Sequence, residues 1–275
     1  MIVNRKGSSC LSFKHCPAML FGLLLVAVVM SSSNIARSDT LTLTTVKNSP
    51  DSFLGEVIVK KTYAKLGIEV TILRYPAERA LRSANQGAVD GEVQRIGAIA
   101  KIYPNLIRIE PAINSLEAGV FTIDSNFAVE GWESVRPYKI GIIRGIKFAE
   151  RGTEGMRRDI VDDYQSLFRM IQNKRFDIAV IPRFNGIYQQ KRLGFKGIRE
   201  LTPPIEKHPL YHYLHKKHAD LVPEISAVLN EMNQSGELAA IHAQVNKVLF
   251  ELAENGKPVC KVDYSELVPE NRTGV

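Results

Sequence analysis

The feature that most constrains the fold is an alternation of short apolar strands with amphipathic helices, which occurs twice along the chain. In the first series, strand-like segments at 41–46 and 68–75 enclose a helix-like segment at 49–67. In the second series, strands at 138–143 and 176–181 stand on either side of a helical pattern. Such alternation is typical of βαβ units and a mostly parallel sheet. The sequence therefore predicts an α/β protein with two similar α/β lobes.

Further sequence patterns predict the other strands and helices. Strands are predicted at 105–113 and 117–123, with the region of Pro111 separating them. The other predicted elements are a strand at 210–214 and two closing helices at 223–232 and 237–254.

The first forty residues differ from the rest of the chain. Three basic residues precede an unbroken apolar run of 13 residues at 18–30. This run is too short to span a bilayer, which takes roughly 20 residues. A basic start, a short apolar segment and small residues up to Ser38 are typical of a cleavable secretory signal peptide, here 1–38. The alternative is an uncleaved membrane anchor.

Removal of 1–38 changes the charge of the protein. This segment holds four cations and no acid, so its loss lowers the formal net charge from +7 to +3. The high isoelectric point is thus partly a targeting feature, and nucleic-acid binding is not expected. Of three cysteines only Cys260 remains, so no internal disulfide can form and the apolar core must supply the stability.

Arg95 is the first candidate ligand-binding residue. It follows a predicted strand near 89–93 and lies just past that strand's carboxyl end. Ligands of open α/β sheets bind outside the carboxyl ends of the strands. A guanidinium there can hold a ligand carboxylate with two hydrogen bonds. The alternative role of Arg95 is an ion pair with Glu92 or Glu110.

Two further arginines lie at comparable positions. Arg79 falls in the first turn of a predicted helix, where the helix dipole disfavours a cation unless an anion is nearby. Arg144 ends the first strand of the second series, before a glycine turn that opens toward the same crevice. An ordinary surface position for Arg79, and an ordinary strand-to-helix turn at Arg144, remain the alternatives.

Several segments together resemble a known family. They include "VKNSPDSFLGEVIVKKTYAKLGIEV" (46–70), "YPAERALRSANQGAVDGEVQR" (75–95), "KIGIIRG" (139–145) and "KRFDIAVIP" (174–182). With the signal peptide, they resemble the bacterial extracellular solute-binding proteins of family 3, the periplasmic amino-acid-type binding proteins. The resemblance covers nearly all of 41–250.

This resemblance implies a type II periplasmic-binding-protein fold, in which two α/β lobes close on a small molecule. Two crossing segments, near 121–128 and 203–210, would join the lobes. The implied lobe 1 is discontinuous, at 39–124 plus 208–260, and lobe 2 is 125–207. A flexible tail is expected at 261–275.

The resemblance also bears on the ligand. In family members that bind amino acids, an arginine grips the α-carboxylate, and Arg95 matches it here. The family's acidic residue for the α-amino group corresponds to Pro182, which cannot bind an ammonium. A ligand with a carboxylate and no essential ammonium is therefore an alternative to an amino acid. The side chains expected to line the cleft with Arg95, Arg79 and Arg144 are Asn48, Tyr75, Asn114, Phe184 and Asn185.

Two other functions are alternatives to solute binding. His208, His212, His215 and His218 are close in sequence, as in some metal sites, but a strand would point His212 and His215 to opposite faces. A periplasmic lyase or dehydratase on the same fold is the second alternative, since a fold alone does not decide function.

The sequence thus favours a periplasmic solute-binding protein rather than an enzyme. Its expected ligand is a small anionic or zwitterionic solute, and no cofactor is required. The expected partner is a membrane permease of ABC type or a membrane sensor, with the protein itself a monomer.

Overall fold

A computed structural model describes residues 40–259 and Leu267 of the 275-residue chain. The predicted signal peptide and nearly all of the predicted tail lie outside the described residues. Leu267 is buried against the apolar cluster that contains the two closing helices. None of the helices in the described part of the chain is long and apolar enough to cross a membrane.

The described residues form an α/β fold, as the alternating pattern predicts. The strands are β1 Leu41–Val46, β2 Val70–Tyr75, β3 Gly91–Ile96, β4 Leu106–Thr122, β5 Ile140–Ile143, β6 Arg158–Val161, β7 Ile178–Pro182, β8 Arg199–Leu201 and β9 Lys207–His215. The α-helices are α1 Pro50–Lys65, α2 Ala77–Asn85, α3 Lys147–Gly152, α4 Tyr164–Gln172, α5 Arg183–Leu193, α6 Val222–Gln234 and α7 Glu237–Glu254.

The strands join in the order β2-β1-β3-β9-β4-β7-β5-β6, with β8 paired to β4. The outer strands are parallel, since β1 pairs with β2 and β3, and β5 pairs with β6 and β7. The two central strands, β4 and β9, pair antiparallel with each other and with their neighbours. The expectation of a mostly parallel sheet therefore holds for the outer strands and fails at the centre.

Strand β4 is continuous where two strands were predicted at 105–113 and 117–123. A shift in pairing register between Ile109 and Asn114 accommodates Pro111, which has no N–H to donate to a neighbouring strand. Up to Glu117 the strand pairs with β9, and from Ala118 it pairs with β7. One strand thus links the two parts of the sheet, which we call the first half (β1, β2, β3 and β9) and the second half (β5, β6, β7 and β8).

Helices cover both halves of the sheet, and one apolar cluster contains buried residues of both. Helix α1 packs against α5, α6, α7 and the first half of the sheet, so nearly every side chain from Phe53 to Val59 is buried. Helix α4 packs Leu167, Phe168 and Ile171 on the second half, the face that its spacing predicts. Burying one such side chain contributes about 1.5–3 kcal/mol. Short strand β6 was not predicted, because its sequence "RDIV" has no apolar run.

Candidate functional site

A cavity lies where the carboxyl ends of four strands meet. It has a volume of about 50 Å³, and we call it the inner cavity. Its walls come from the ends of β1, β3 and β7 and from the turn after β5, so both halves of the sheet contribute. Its polar lining residues are Ser49, Asp51, Ser52, Gln94, Arg95, Lys147 and Asn185, and its apolar ones include Ile96, Ile99, Leu116, Phe148 and Leu210.

A second and larger cavity, the outer cavity, adjoins the first. It has a volume of about 270 Å³ and shares Val46 and Ile146 with the inner cavity. Many of its lining side chains are exposed. The charged members are Lys47, Arg144, Asp162, Asp163 and Arg192, and the uncharged polar members include Asn48, Tyr164, Gln165 and Gln189.

Arg95 is the buried cation of the inner cavity. Its residue is 8% exposed, and its Nε donates to Glu92 Oε1 at 2.7 Å. Its Nη2 donates to the backbone oxygen of Ala77 at 3.0 Å. Within residues 40–259, Nη1 has no hydrogen-bond partner. The side chain is therefore held at two atoms while its remaining N–H groups are available at the cavity wall.

Glu92 holds the Arg95 side chain in position. It is fully buried, and its Oε2 accepts from the Thr44 hydroxyl at 2.6 Å. Burial raises the pKa of Glu92, and the attraction of Arg95 opposes that rise. The ion-pair alternative considered for Arg95 is thus present, and it leaves part of the guanidinium for a ligand.

The start of α1 forms a second polar wall. Asn48 adopts a left-handed conformation (φ 56°), which asparagine tolerates better than most residues, and Pro50 begins the helix. Asn185 of the second half donates to Ser49 Oγ at 2.9 Å and to Asp51 Oδ1 at 2.6 Å. Because Asn185 is 1% exposed, these bonds are screened from water and hold the two halves together beside the cavity.

Lys147 is a second cation in the wall of the inner cavity. Its Nζ contacts Glu78 Oε2 of α2 at 2.5 Å and Glu150 Oε2 of its own helix at 2.9 Å. Burial by itself would lower the pKa of Lys147, but the hydrogen bonds to Glu150 and Glu78 outweigh it and raise that pKa to about 12. Lys147 is therefore a cation at all physiological pH values.

Gly145 lets the halves approach closely. It adopts a φ of 81°, and a Cβ added there would lie 2.5 Å from the Glu78 backbone nitrogen and 2.8 Å from Ala77 Cβ. A side chain at this position would therefore push α2 away from the turn after β5.

The structure brings some predicted site residues together and separates others. Arg95 and Asn185 line the inner cavity, and Asn48 and Arg144 line the outer one. Tyr75, Arg79 and Asn114 line neither cavity. Phe184 also lines neither, and its ring contacts the Phe250 ring of α7. Arg79 stacks on the Tyr75 ring at 4.4 Å, while Asn114 donates to Gln94 Oε1 at 3.4 Å and lines a groove beside α6 and α7.

Sequence reasoning missed Asp51, Gln94 and Lys147 as lining residues. A usable signal existed for Asp51, since it lies in the first turn of a helix that begins shortly after the carboxyl end of β1, at the sheet edge where Arg95 is expected. Lys147 gave no such signal, because its position depends on the contact between the halves.

The four clustered histidines have separate partners. His208 contacts Glu206 at 2.6 Å, His218 contacts Asp90 at 2.7 Å, and His215 accepts from the Lys217 backbone N–H at 3.3 Å. His212 is buried, with Nε2 at 2.8 Å from the Tyr63 hydroxyl and Nδ1 at 2.9 Å from the Glu92 carbonyl. In the described part of the chain, no three His, Cys, Asp or Glu side chains meet in a geometry suited to a metal ion.

His212 is expected to make the protein sensitive to acid. Burial lowers its pKa to about 4, below the ~6.5 of an unfolded chain. As pH falls from 6.5 toward 4, the unfolded state therefore binds a proton first, and roughly 3 kcal/mol of the free energy of unfolding is lost across that window. Urea unfolding at a series of pH values measures this loss.

A glutamine variant is the control. His212→Gln should show a flatter dependence of unfolding free energy on pH than the parent. Parallel curves for the parent and His212→Gln would show that His212 does not cause the acid sensitivity.

Comparison with known proteins supports the fold. No model of a known family matches the chain. An uncharacterized protein of Shewanella oneidensis is 28% identical over 234 residues, which are 80% of this chain and 86% of the relative.

Two solved structures illustrate the likeness. A histidine kinase sensor domain described as similar to periplasmic binding proteins has a TM-score of 0.65 at 18% identity, over 76% of this chain and 96% of its own. The substrate-binding protein of an amino acid ABC transporter has a TM-score of 0.63 at 16% identity, over 76% of this chain and 100% of its own. The fold resemblance predicted from the sequence is confirmed.

Proposed function

We propose that this chain is a periplasmic solute-binding protein that captures a small carboxylate-bearing solute, an amino acid or a related metabolite. The observation that carries the proposal is Arg95, a buried guanidinium with unused N–H groups at a cavity walled by both halves of the sheet. A carboxylate forms short, strong hydrogen bonds with such a group.

The binding mechanism is closure of two lobes, 39–124 with 208–260 and 125–207, on the solute. Arg95 in the first lobe holds the carboxylate. Asn185 and Lys147 of the second lobe reach across to Asp51 and Glu78, and these contacts form only when the lobes approach. A solute that touches both lobes binds the closed form more tightly and shifts the population toward it.

A binding role fits the acidic residues better than an enzymatic one. Asp90 accepts hydrogen bonds from the Thr42 backbone N–H and from His218, and forms an ion pair with Lys217. Glu92 is engaged by Thr44 and Arg95. These two neighbouring carboxylates, the pair that could suggest acid–base catalysis, thus both have structural partners, so we favour a binder over a lyase or dehydratase.

The membrane partner is an ABC-type permease or a sensor. The solved structures that share the fold include a transporter's substrate-binding protein and a sensor domain of a histidine kinase. Both kinds of partner respond to the closed form of a two-lobed protein.

A ligand screen on the processed protein tests the function. The full chain is expressed in a bacterial host and recovered from the periplasmic extract, and small carboxylates are screened by thermal shift. A true ligand at one hundred times its Kd should add about 2.7 kcal/mol to the free energy of unfolding. Trp132, the one tryptophan of the chain, packs against Phe148 of the inner cavity and gives a second readout by fluorescence.

The screen has two contrary outcomes. Chemical turnover of a stabilising compound would show that the protein is an enzyme and not a binding protein. If other classes of solute stabilised the protein and no carboxylate did, Arg95 would have no role in ligand recognition.

A further inference from the structure

We infer that the solute is elongated and linear, with its carboxylate on an unbranched carbon chain in the inner cavity and a second polar group in the outer cavity. This inference rests on the proposed function and narrows its ligand class. The observations that carry it are the two adjoining cavities, their sizes and the groups that line them.

The inner cavity accepts only a small group. One water molecule needs roughly 10–15 Å³ of such volume. A cavity of about 50 Å³ therefore accommodates a carboxylate and the carbon next to it, and little more. With its carboxylate at Arg95, a solute of metabolite size must extend into the outer cavity, whose volume is about 270 Å³.

The boundary that the two cavities share is apolar. Val46, the last residue of β1, and Ile146, in the turn after β5, line both cavities. One side chain comes from each half of the sheet, so the two enclose the chain of the solute when the halves approach. A methylene chain fits between two aliphatic side chains without leaving a polar group unpaired.

A branch beside the carboxylate is disfavoured for two reasons. Most of the lining near Arg95 is apolar, and it includes Ile96, Ile99 and Phe148. Asp51, the carboxylate among the described lining residues of the inner cavity, already accepts through Oδ1 from Asn185 and from the Ser52 backbone N–H. An α-ammonium at Asp51 would therefore bind through Oδ2 and share this carboxylate with contacts that hold the two halves together.

The outer cavity is suited to the second polar group. Arg144 and Asp162 face it as an ion pair at 2.9 Å, with side chains 55% and 78% exposed. Such an exposed pair contributes little to stability, so either partner can exchange the other for a ligand group at little cost. Lys47 and Asn48 add further polar atoms at the same wall.

A length series tests the inference. Thermal shift and calorimetry compare linear ω-amino acids and linear dicarboxylates of increasing length with α-amino acids of equal carbon number. Affinity should rise with length until the second group passes Val46 and Ile146, and the α-amino isomers should bind at least about tenfold more weakly, or 1.4 kcal/mol. Equal affinity for the α-amino isomers, or no dependence on length, would overturn the inference and leave the proposed function intact.

Blocking the boundary between the cavities gives an independent test. Ile146→Trp should reduce affinity for the longest ligand of the series at least about tenfold more than affinity for the shortest. Ile102→Trp is the matched control, because Ile102 is 58% exposed and lines neither cavity. Equal losses for long and short ligands, or no loss for either, would contradict the two-cavity arrangement.

Arg144→Ala tests whether the second polar group of the ligand binds in the outer cavity. It should weaken long dicarboxylates and leave the shortest monocarboxylate unchanged, because only the long ligands reach this side chain. A uniform effect along the series would place the second group elsewhere. Failure of every carboxylate to bind the parent protein would instead count against the proposed function itself.

Discussion

Arg95→Ala is expected to destabilise the protein by about 3–5 kcal/mol and to abolish binding of a carboxylate ligand. The stability loss arises because the variant leaves Glu92, which is 0% exposed, as a buried carboxylate without its cation. The binding loss arises because the same side chain supplies the cavity's unused guanidinium N–H groups. Urea unfolding and calorimetry measure the two effects separately.

A double variant separates stability from binding. In Glu92→Gln with Arg95→Met, no uncompensated charge is buried, and the glutamine oxygen can still accept from Thr44. This variant should regain most of the lost stability and still fail to bind carboxylates. If Arg95→Ala remained within about 1 kcal/mol of the parent, the buried ion pair would not have the structural role assigned to it. Retained ligand affinity in either variant would exclude Arg95 from the site.

Gly145→Ala is expected to reduce ligand affinity about tenfold to a hundredfold. The new Cβ would lie 2.5 Å from the backbone nitrogen of Glu78, across the boundary between the halves. Lobes that can separate relieve this clash by staying open, so the cost falls on the closed, ligand-bound form. Calorimetric titration with any ligand from the screen measures the change.

Gly236→Ala is the matched control for this substitution. Gly236 has a φ of 79°, close to the 81° of Gly145, and a left-handed backbone, and a Cβ there would meet no atom within 4 Å. Both variants should lose about 1–2 kcal/mol of stability from the left-handed backbone alone. Only Gly145→Ala should lose affinity, and equal affinities in the two variants would rule out Gly145 as the point of close approach.

Much of the secondary structure could be predicted from local pattern. The closing helix at 237–254 agrees with α7 at both ends, since its apolar spacing is regular and Gly236 precedes it. The strands at 105–113 and 117–123 were wrongly divided, because a proline within a strand reads as an interruption. Only the pairing of β4 with β9 and β7 shows that the register shift near Pro111 keeps the strand continuous.

The candidate site was predictable in part. Arg95 was assigned to a cleft from its position at a strand end, and it lines the inner cavity, as does Asn185, an amide expected to line the cleft that the family resemblance implies. Arg79 was assigned from its place in the first turn of a helix, but it stacks on Tyr75 away from both cavities. Position along a strand or helix gives the edge of the sheet at which a side chain lies, and it does not give the direction in which a long side chain extends.

By itself, the sequence determined the α/β class, the doubling of the strand and helix pattern, and the location of a guanidinium at a strand end. These features depend on periodicities of two and 3.6 residues and on turn residues, all of which act over short stretches of chain. The tertiary structure alone decided that Glu92 holds Arg95, that Asn185 meets Asp51, and that two cavities adjoin at Val46 and Ile146. The last two join residues a hundred or more positions apart, so they depend on how the two halves pack and not on any local pattern.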